Sequence, residues 1–377
     1  MVWNWQLEKW PNLTCNRSDL VAREAKFLEQ AGILIGTSSH LSQDDQVDLS
    51  VSIMSMEALD TSSIEGEILD RDSVQSSIQR ALGLKTPHRK HRPAESGIAE
   101  MMVDLLKTSK EPLSHEMLYR WHGMMMNGRR DLDQIGAYRA HDGPMQIISG
   151  ASYAPKVHYE APPSKSVLKE MAAFIKWFNK TAASGKTPLP AIERAGIAHL
   201  WFECIHPFED GNGRIGRAIS EKALTQGRRK PVFTSLAGVL LHHRKEYYRQ
   251  LELASKTLDA SMWLKWFADI VLDAQTRSQK QVKFLLAKTR LFDALRDQLN
   301  ERQEKALLRM FAEGIEGFKG GLSAKNYMTI TGAPTATTTR DLTDLVKKGA
   351  FIRQGERKST RYYLNLGRAG QRSDAQK

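Results

Sequence analysis

Only two cysteines occur in 377 residues, Cys15 and Cys204, and they share no CxxC spacing. That excludes a disulfide-stapled fold and a thiolate metal site. No apolar run approaches the ~20 residues needed to span a bilayer, so no membrane association is expected. The N-terminus has no basic start followed by an apolar stretch, so no secretory leader is read and the expected compartment is a reducing cytoplasm. Internal repeats are absent. Only the small, polar end from Gly367 lacks core-forming residues, and a disordered tail is expected over 369–377. Acidic side chains are in the minority, 43 against 55 basic ones, giving a net charge of +12. Such a surplus attracts phosphate on nucleotides, nucleic acids or acidic proteins without choosing among them.

The hydrophobic patterning is mostly helical. Segment 1–93 opens on Val2-Trp3-Asn4-Trp5 and Trp10-Pro11, which read as a short packed arm. Helices are expected over 18–32 and 44–59. The strip 85–93 reads as a basic surface loop, and its arginines disfavour a metal at His88 and His91. A second block, 94–278, breaks its helical pattern once, between Pro144 and Pro163. Two β-prone runs around Gly150 predict a hairpin there, a shape suited to gripping an extended peptide. A helical linker is expected over 279–300. Segment 301–368 then follows helix, turn, helix, basic hairpin, the order of a winged helix-turn-helix. Thr337, Thr338, Thr339 and Arg340 open its second helix, and Arg353, Arg357, Lys358 and Arg361 flank the wing. The expected fold class is therefore mainly α.

The chemistry concentrates in His206-Pro207-Phe208-Glu209-Asp210-Gly211-Asn212-Gly213-Arg214-Ile215-Gly216-Arg217. Residues 191–205 are apolar nearly all round, the mark of a buried helix. Pro207 ends it, because the residue before a proline is pushed out of the helical region. His206 is thus expected at the mouth of a Gly-rich loop that leads into a second helix. Backbone N–H groups at Gly211 and Gly213 can converge on an anion, helped by the helix N-terminus. Arg214 and Arg217, three apart, share a face that can grip two phosphates. Asp210 is a hard ligand for Mg²⁺, and His206 can take a proton from a hydroxyl. The stretch also satisfies G-x-G-x-x-G, but a helix precedes it where a dinucleotide site needs a strand.

The same stretch resembles the Fic motif, HxFx(D/E)GNGRxxR, at every defined position. The resemblance covers about 94–278 and implies a helical core with a β-hairpin flap. It implies protein adenylyltransfer, with AMP moved from ATP to a Tyr, Thr or Ser hydroxyl of a target protein and of the enzyme itself. Carried over by position, His206 would be the base and Asp210 the Mg²⁺ ligand. Gly211, Asn212 and Gly213 would form the anion hole. Arg214 would contact phosphate, and Arg217 the γ-phosphate, with Ile215 and Gly216 between them. Val157, His158, Tyr159 and Glu160 look like the flap strand that clamps the target in extended form, and are counted with the ATP-binding residues. Tyr247, Tyr248 and Ser255 resemble adenine-pocket positions, with helix packing the alternative for the tyrosines. Relatives acting as kinases carry Lys where Gly213 stands, so Gly213 favours AMP transfer, while the loop alone does not exclude phosphocholine transfer.

Upstream, Thr61-Ser62-Ser63-Ile64-Glu65-Gly66 resembles the family's inhibitory motif, [S/T]xxxE[G/N]. By that resemblance Glu65 would pair with Arg217, Thr61 would help seat the helix, and Gly66 would allow close approach. The opening Trp-x-Trp resembles bacterial members, and relatives often dimerise. Two other readings stand beside adenylyl transfer. One is a DNA-binding regulator with a nucleotide-sensing Fic domain, or a protein-docking winged helix in its place. The other is a de-adenylylase using Glu65.

Overall fold

Residues 2–39, 41–86, 91–149, 156–226, 234–318 and 320–367 are described in the computed structural model. His88, Gly150 and the tail 369–377 lie outside them, as does the side chain of Lys358. After a 3-10 turn at Asn4–Gln6 come α1 (Ser18–Ser39), α2 (Gln43–Ile64), α3 (Arg71–Ala81), α4 (Pro93–Lys107) and α5 (His115–Met125). A hairpin of β1 (Gln146–Ser149) and β2 (Lys156–Glu160) follows, then α6 (Ser164–Lys180), α7 (Ala191–Ile205), α8 (Asn212–Thr225), α9 (Leu236–His242), α10 (Arg244–Ala254) and α11 (Ser261–Ala294). The chain ends in α12 (Glu301–Phe311), α13 (Ala324–Thr331), α14 (Thr335–Lys347) and the strands β3 (Phe351–Gln354) and β4 (Arg361–Leu364).

Two compact units result: 1–36 with 50–278, and 37–49 with 279–377. The N-terminal block 1–93 is therefore no separate body, since apart from 37–49 it packs with 94–278. Trp3 and Asn4 show how. Trp3 meets Tyr159 edge to face at 5.2 Å, and Asn4 donates its backbone N–H to the carbonyl of Ser255 at 2.7 Å. At the centre of this unit α7 packs on α8. Ile197, Ala198, Leu200 and Phe202 of α7 are buried, as are Ile215 and Ile219 of α8. Trp263 of α11 donates to the carbonyl of Gly196 at 2.8 Å.

The helix α2 runs longer than its pattern predicts. Thr61-Ser62-Ser63 look like helix breakers, because short hydroxyl side chains compete for backbone groups. Here Ser63 returns its hydroxyl to the carbonyl of Leu59 at 2.8 Å, within the helix. Thus α2 continues to Ile64 and ends at Gly66, whose φ of +85° is open to glycine at little cost. Polar residues of α2 are buried beside apolar ones: Ser55, Glu57, Thr61 and Ser62 with Val51, Met54 and Ala58. Glu57 accepts from the N–H of Ala237, before the first turn of α9 closes, at 3.0 Å.

In the second unit Leu307, Met310, Tyr327, Leu342, Leu345 and Phe351 share one core. Asp341 ties its three helices, accepting from Arg302 at 2.9 Å, Asn300 at 3.2 Å and the Tyr327 hydroxyl at 3.0 Å. Strands β3 and β4 pair antiparallel from Phe351↔Leu364 to Gln354↔Arg361. The helix expected from Thr337 starts two residues earlier. That register buries Thr338, so it leaves the expected contact set, while Thr339 and Arg340 stay exposed.

Close packing of α4 on α5 gives a test of the first unit. A Cβ on Gly97 would lie 2.0 Å from the carbonyl oxygen of Met124. Gly97→Ala is expected to cost about 1–3 kcal/mol, because overpacking forces backbone apart. Urea unfolding should show a lower midpoint with an unchanged slope.

Candidate functional site

His206 closes α7 in the left-handed region, at φ 49° and ψ 59°, where an extended conformation is expected before proline. For a non-glycine residue this costs of order 1–3 kcal/mol and persists only where surroundings enforce it. Arg139 enforces it. Its Nε donates to the carbonyl of His206 at 2.8 Å, and Nη2 to those of Pro162 at 2.6 Å and Ile205 at 3.3 Å. Nη1 reaches the Ser164 hydroxyl at 2.8 Å, and the Arg139 N–H meets the carbonyl of Pro207 at 2.9 Å. One buried guanidinium therefore joins the end of α7, the start of the loop and the exit of the hairpin. Burial lowers its pKa to about 10. The imidazole of His206 is pulled down to about 4, by burial first and then by the charge of Arg139. It is neutral at pH 7, the state a proton acceptor needs.

The loop beyond is braced from inside. The side chain of Asn212 accepts from the N–H of Phe208 at 2.9 Å and donates to its carbonyl at 2.8 Å. Phe208 stacks on His122 at 4.2 Å. Gly136 donates its N–H to Nδ1 of His122 at 2.9 Å, which leaves Nε2–H to donate to the carbonyl of Asp210 at 3.2 Å. Gly211 has φ +82°, and a Cβ there would lie 2.5 Å from the methyl carbons of Met125 and Met126. Helix α8 begins at the next residue.

Every charged motif side chain already has an internal partner. Arg217 is fully buried and donates from Nη2 to Glu65 at 2.6 Å, and from Nε to the Thr61 hydroxyl at 2.6 Å. The contact with Glu65 uses one carboxylate oxygen, where a two-pronged pair is the usual strong form. The other Glu65 oxygen lies 3.4 Å from the Tyr248 hydroxyl. A Cβ on Gly213 would stand 2.3 Å from Glu65 Oε1, so the carboxylate lies directly over this glycine of the loop. Burial raises the Glu65 carboxyl, but Arg217, with Arg214 behind it, more than offsets that and holds it below its ordinary value. Arg214 donates to Glu67 at 2.7 Å. Arg129 donates to Asp210 at 2.6 Å and, against the effect of burial, keeps that carboxyl low. A cavity of about 220 Å³ opens beside Glu67, Arg129 and Arg214. Asp210 fits a Mg²⁺ site formed jointly with phosphate oxygens, since it is ionised and already faces a cation. Among the described residues no three His, Cys, Asp or Glu side chains converge on a metal position.

Several expected site residues serve the scaffold instead. Tyr159 turns inward and donates to the carbonyl of Cys204 at 2.6 Å, so it does not line a nucleotide pocket. Glu160 accepts from Gln146 at 2.7 Å, and His158 meets Glu252 at 3.0 Å and Ser149 at 2.6 Å. Val157 remains half-exposed on β2. Tyr247 is buried, with its hydroxyl 2.7 Å from His199, while Tyr248 faces Glu65. Ser255 is buried under the N-terminal arm and bonds its hydroxyl to the carbonyl of Glu252 at 2.9 Å. The side chain of Asn212 is spent on the loop, and Ile215 is core. Gly66 has nothing within 4 Å of its would-be Cβ, so its role is the positive φ and not a close approach. Arg129, Arg139 and Glu67 were not legible in advance, since each is a single charged residue that only folding brings to the motif.

Residues 112–224 match the Fic/DOC family model. Residues 3–84 match a family described as a domain of unknown function, DUF4172. Among curated relatives, the protein adenylyltransferase fic-1 of Caenorhabditis briggsae is 34% identical over 89 residues, 24% of this chain and 16% of its own. A probable protein adenylyltransferase of Aquifex aeolicus is 26% identical over 148 residues, 39% of each chain. The protein adenylyltransferase Fic of Drosophila ananassae is 31% identical over 141 residues, 36% of this chain and 27% of its own. The chain thus spans well under half the length of these relatives. A Fic family protein from Desulfovibrio desulfuricans shares the fold, with a TM-score of 0.54 at 21% identity, covering 94% of this chain and 98% of that one. No helix among the described residues is long and apolar enough to cross a membrane.

Arg139 offers the direct test of the site's frame. Arg139→Ala removes four donor contacts at once and leaves buried carbonyls without partners, a loss of about 1–3 kcal/mol for each orphaned group that water cannot reach. The expected result in urea unfolding is a clear loss of stability, with Arg139→Lys only partly restoring it because an ammonium lacks the planar fork.

Proposed function

We propose that this protein is an adenylyltransferase that moves AMP from ATP to a hydroxyl of a target protein and of itself, restrained by Glu65. The observation that carries this reading is the Glu65 carboxylate, over Gly213 and 2.6 Å from Arg217, at the point where the motif would take polyphosphate. On this reading ATP lays its phosphates along Gly211 to Gly213, with Arg214 and Arg217 as counter-charges. Asp210 would hold Mg²⁺, which supplies charge neutralisation to the polyphosphate when bound. His206 Nε2 takes the proton of the target hydroxyl, whose oxygen attacks the α-phosphorus. The bond to the β-phosphate oxygen breaks and pyrophosphate leaves. Gly213 has no side chain to obstruct the α-phosphate, which favours AMP over phosphoryl transfer.

Glu65 competes for the arginine that the γ-phosphate needs, and Glu67 competes for Arg214 in the same way. A nucleotide displaced by about 1 Å can react ~10²-fold more slowly. Glu65→Gly is therefore expected to raise self-labelling from α-labelled ATP strongly, and Glu65→Gly with Glu67→Gln further still. Adding His206→Ala should abolish it, by ~10²–10⁴-fold or more. Labelling from γ-labelled ATP alone would point to a kinase instead. Equal labelling of parent and Glu65→Gly protein would remove the inhibitory role.

A second reading, DNA binding by the C-terminal unit, rests on exposed charge. Thr335, Thr339, Arg340 and Thr343 lie on one open face of α14, with Arg353 and Arg357 exposed on and beside the hairpin. Among the described residues these three arginines have no ion-pair partner. Mobility shift of the full chain on duplex DNA at low salt checks this. Arg340→Ala with Arg353→Ala should weaken binding and lower the salt slope by about 2. No shift at low salt would leave protein docking as the role of that unit.

A further inference from the structure

Glu203 lies on α7 one turn before His206, and no part of the reading above uses it. Its Oε1 is buried with no hydrogen-bond partner. A carboxyl is rarely left so, because burying a polar group without a partner is costly. The slot it fills is made by Gly216 of α8: a Cβ there would lie 2.3 Å from that same oxygen. Its Oε2 stands 3.9 Å from Nδ1 of His206, and the other acceptor for that nitrogen, the carbonyl of Glu203, is at a long 3.4 Å. Glu203 is not committed to Arg217. No hydrogen bond joins them, and Arg217 Nη1 is itself without a partner. The titratable and charged groups around the carboxyl are Arg217 on α8, Glu65 beyond α2, Tyr247 on α10, and His199, Cys204 and His206 on its own stretch.

We propose that Glu203 is a positioning residue for His206. Its carboxylate accepts the Nδ1 proton of the imidazole, fixes the tautomer that leaves Nε2 free, and balances the imidazolium formed when Nε2 takes a proton. This rests on the transfer reading. A shift of about 1 Å brings the pair to the ~2.9 Å of a hydrogen bond. The proton from the target hydroxyl stays on Nε2 until solvent removes it. Nδ1 keeps its own proton, and Glu203 supplies only charge and orientation. Burial, opposed by Arg217 and reinforced by Glu65, pushes the Glu203 carboxyl up to about 8. The protonated acid carries no charge to balance the imidazolium, and its O–H can donate to Nδ1 and favour the wrong tautomer, so transfer should be weak in acid and rise with pH as Glu203 ionises.

The test compares Glu65→Gly protein with Glu65→Gly carrying Glu203→Gln or Glu203→Asp, using α-labelled ATP from pH 6 to 9. Glu203→Gln should lower kcat on the order of 10²-fold with KM for ATP unchanged, and should lose the rising limb. Glu203→Asp keeps a carboxylate, so it should retain that limb at reduced rate, and it serves also if the Gln protein misfolds. Nitrogen NMR of His206 should show the Nδ1–H tautomer in Glu65→Gly protein and a mixture with Glu203→Gln. An unchanged kcat and pH profile would overturn the proposal, and so would a rise in KM for ATP with kcat retained, which would make Glu203 a support for Arg217. If Glu65→Gly itself moves no AMP, the transfer reading fails, while the tautomer comparison still decides for or against Glu203.

Discussion

The Arg217 guanidinium is buried in the helical core, and burying a charge without partners is prohibitive. α8 alone cannot supply those partners, because its own carbonyls are used in the helix. They come from the end of α2: the Thr61 hydroxyl and carbonyl and the Glu65 carboxylate. This requirement accounts for the burial of Thr61 near the end of α2. It also accounts for the tight association of the N-terminal block with the motif helices. The contact both completes the core and covers the Gly-rich loop.

Such an arrangement links stability to ligand binding. Removing one member of a buried ion pair leaves the other uncompensated, unless something of the same charge takes its place. A polyphosphate is such a replacement for Glu65 and Glu67. On the proposed reading, nucleotide and inhibitory segment are alternative counter-ions for the same two arginines. Asp210 and Arg129 repeat the theme with signs reversed, an acidic ligand held by a cation.

Rigidity around His206 has a different origin. Its left-handed backbone, the loop braced by Asn212 and the stacking of Phe208 on His122 set the imidazole before any ligand arrives. Arg139 gathers three carbonyls that would otherwise lack donors. Preorganisation of this kind lowers the cost of reaching a productive geometry.

Much of this was legible from the chain. The limits of α7 follow from its apolar residues and Pro207, the hairpin from two β-prone runs, and the loop before α8 from its glycines, because each is a local consequence of side-chain shape and backbone sterics. The resemblance of 61–66 to [S/T]xxxE[G/N] added the pairing of Glu65 with Arg217. Tertiary structure decided what local sequence does not encode. It chose which face of β2 points inward, so Tyr159 became a prop. It carried α2 through Thr61-Ser62-Ser63, where packing gave Thr61 a partner in Arg217 and the Ser63 hydroxyl turned back on its own helix. It brought Arg129, Arg139, Glu67 and Glu203 to the motif. A single buried charge has no period or spacing in sequence, and its partners are fixed only when distant helices close around it.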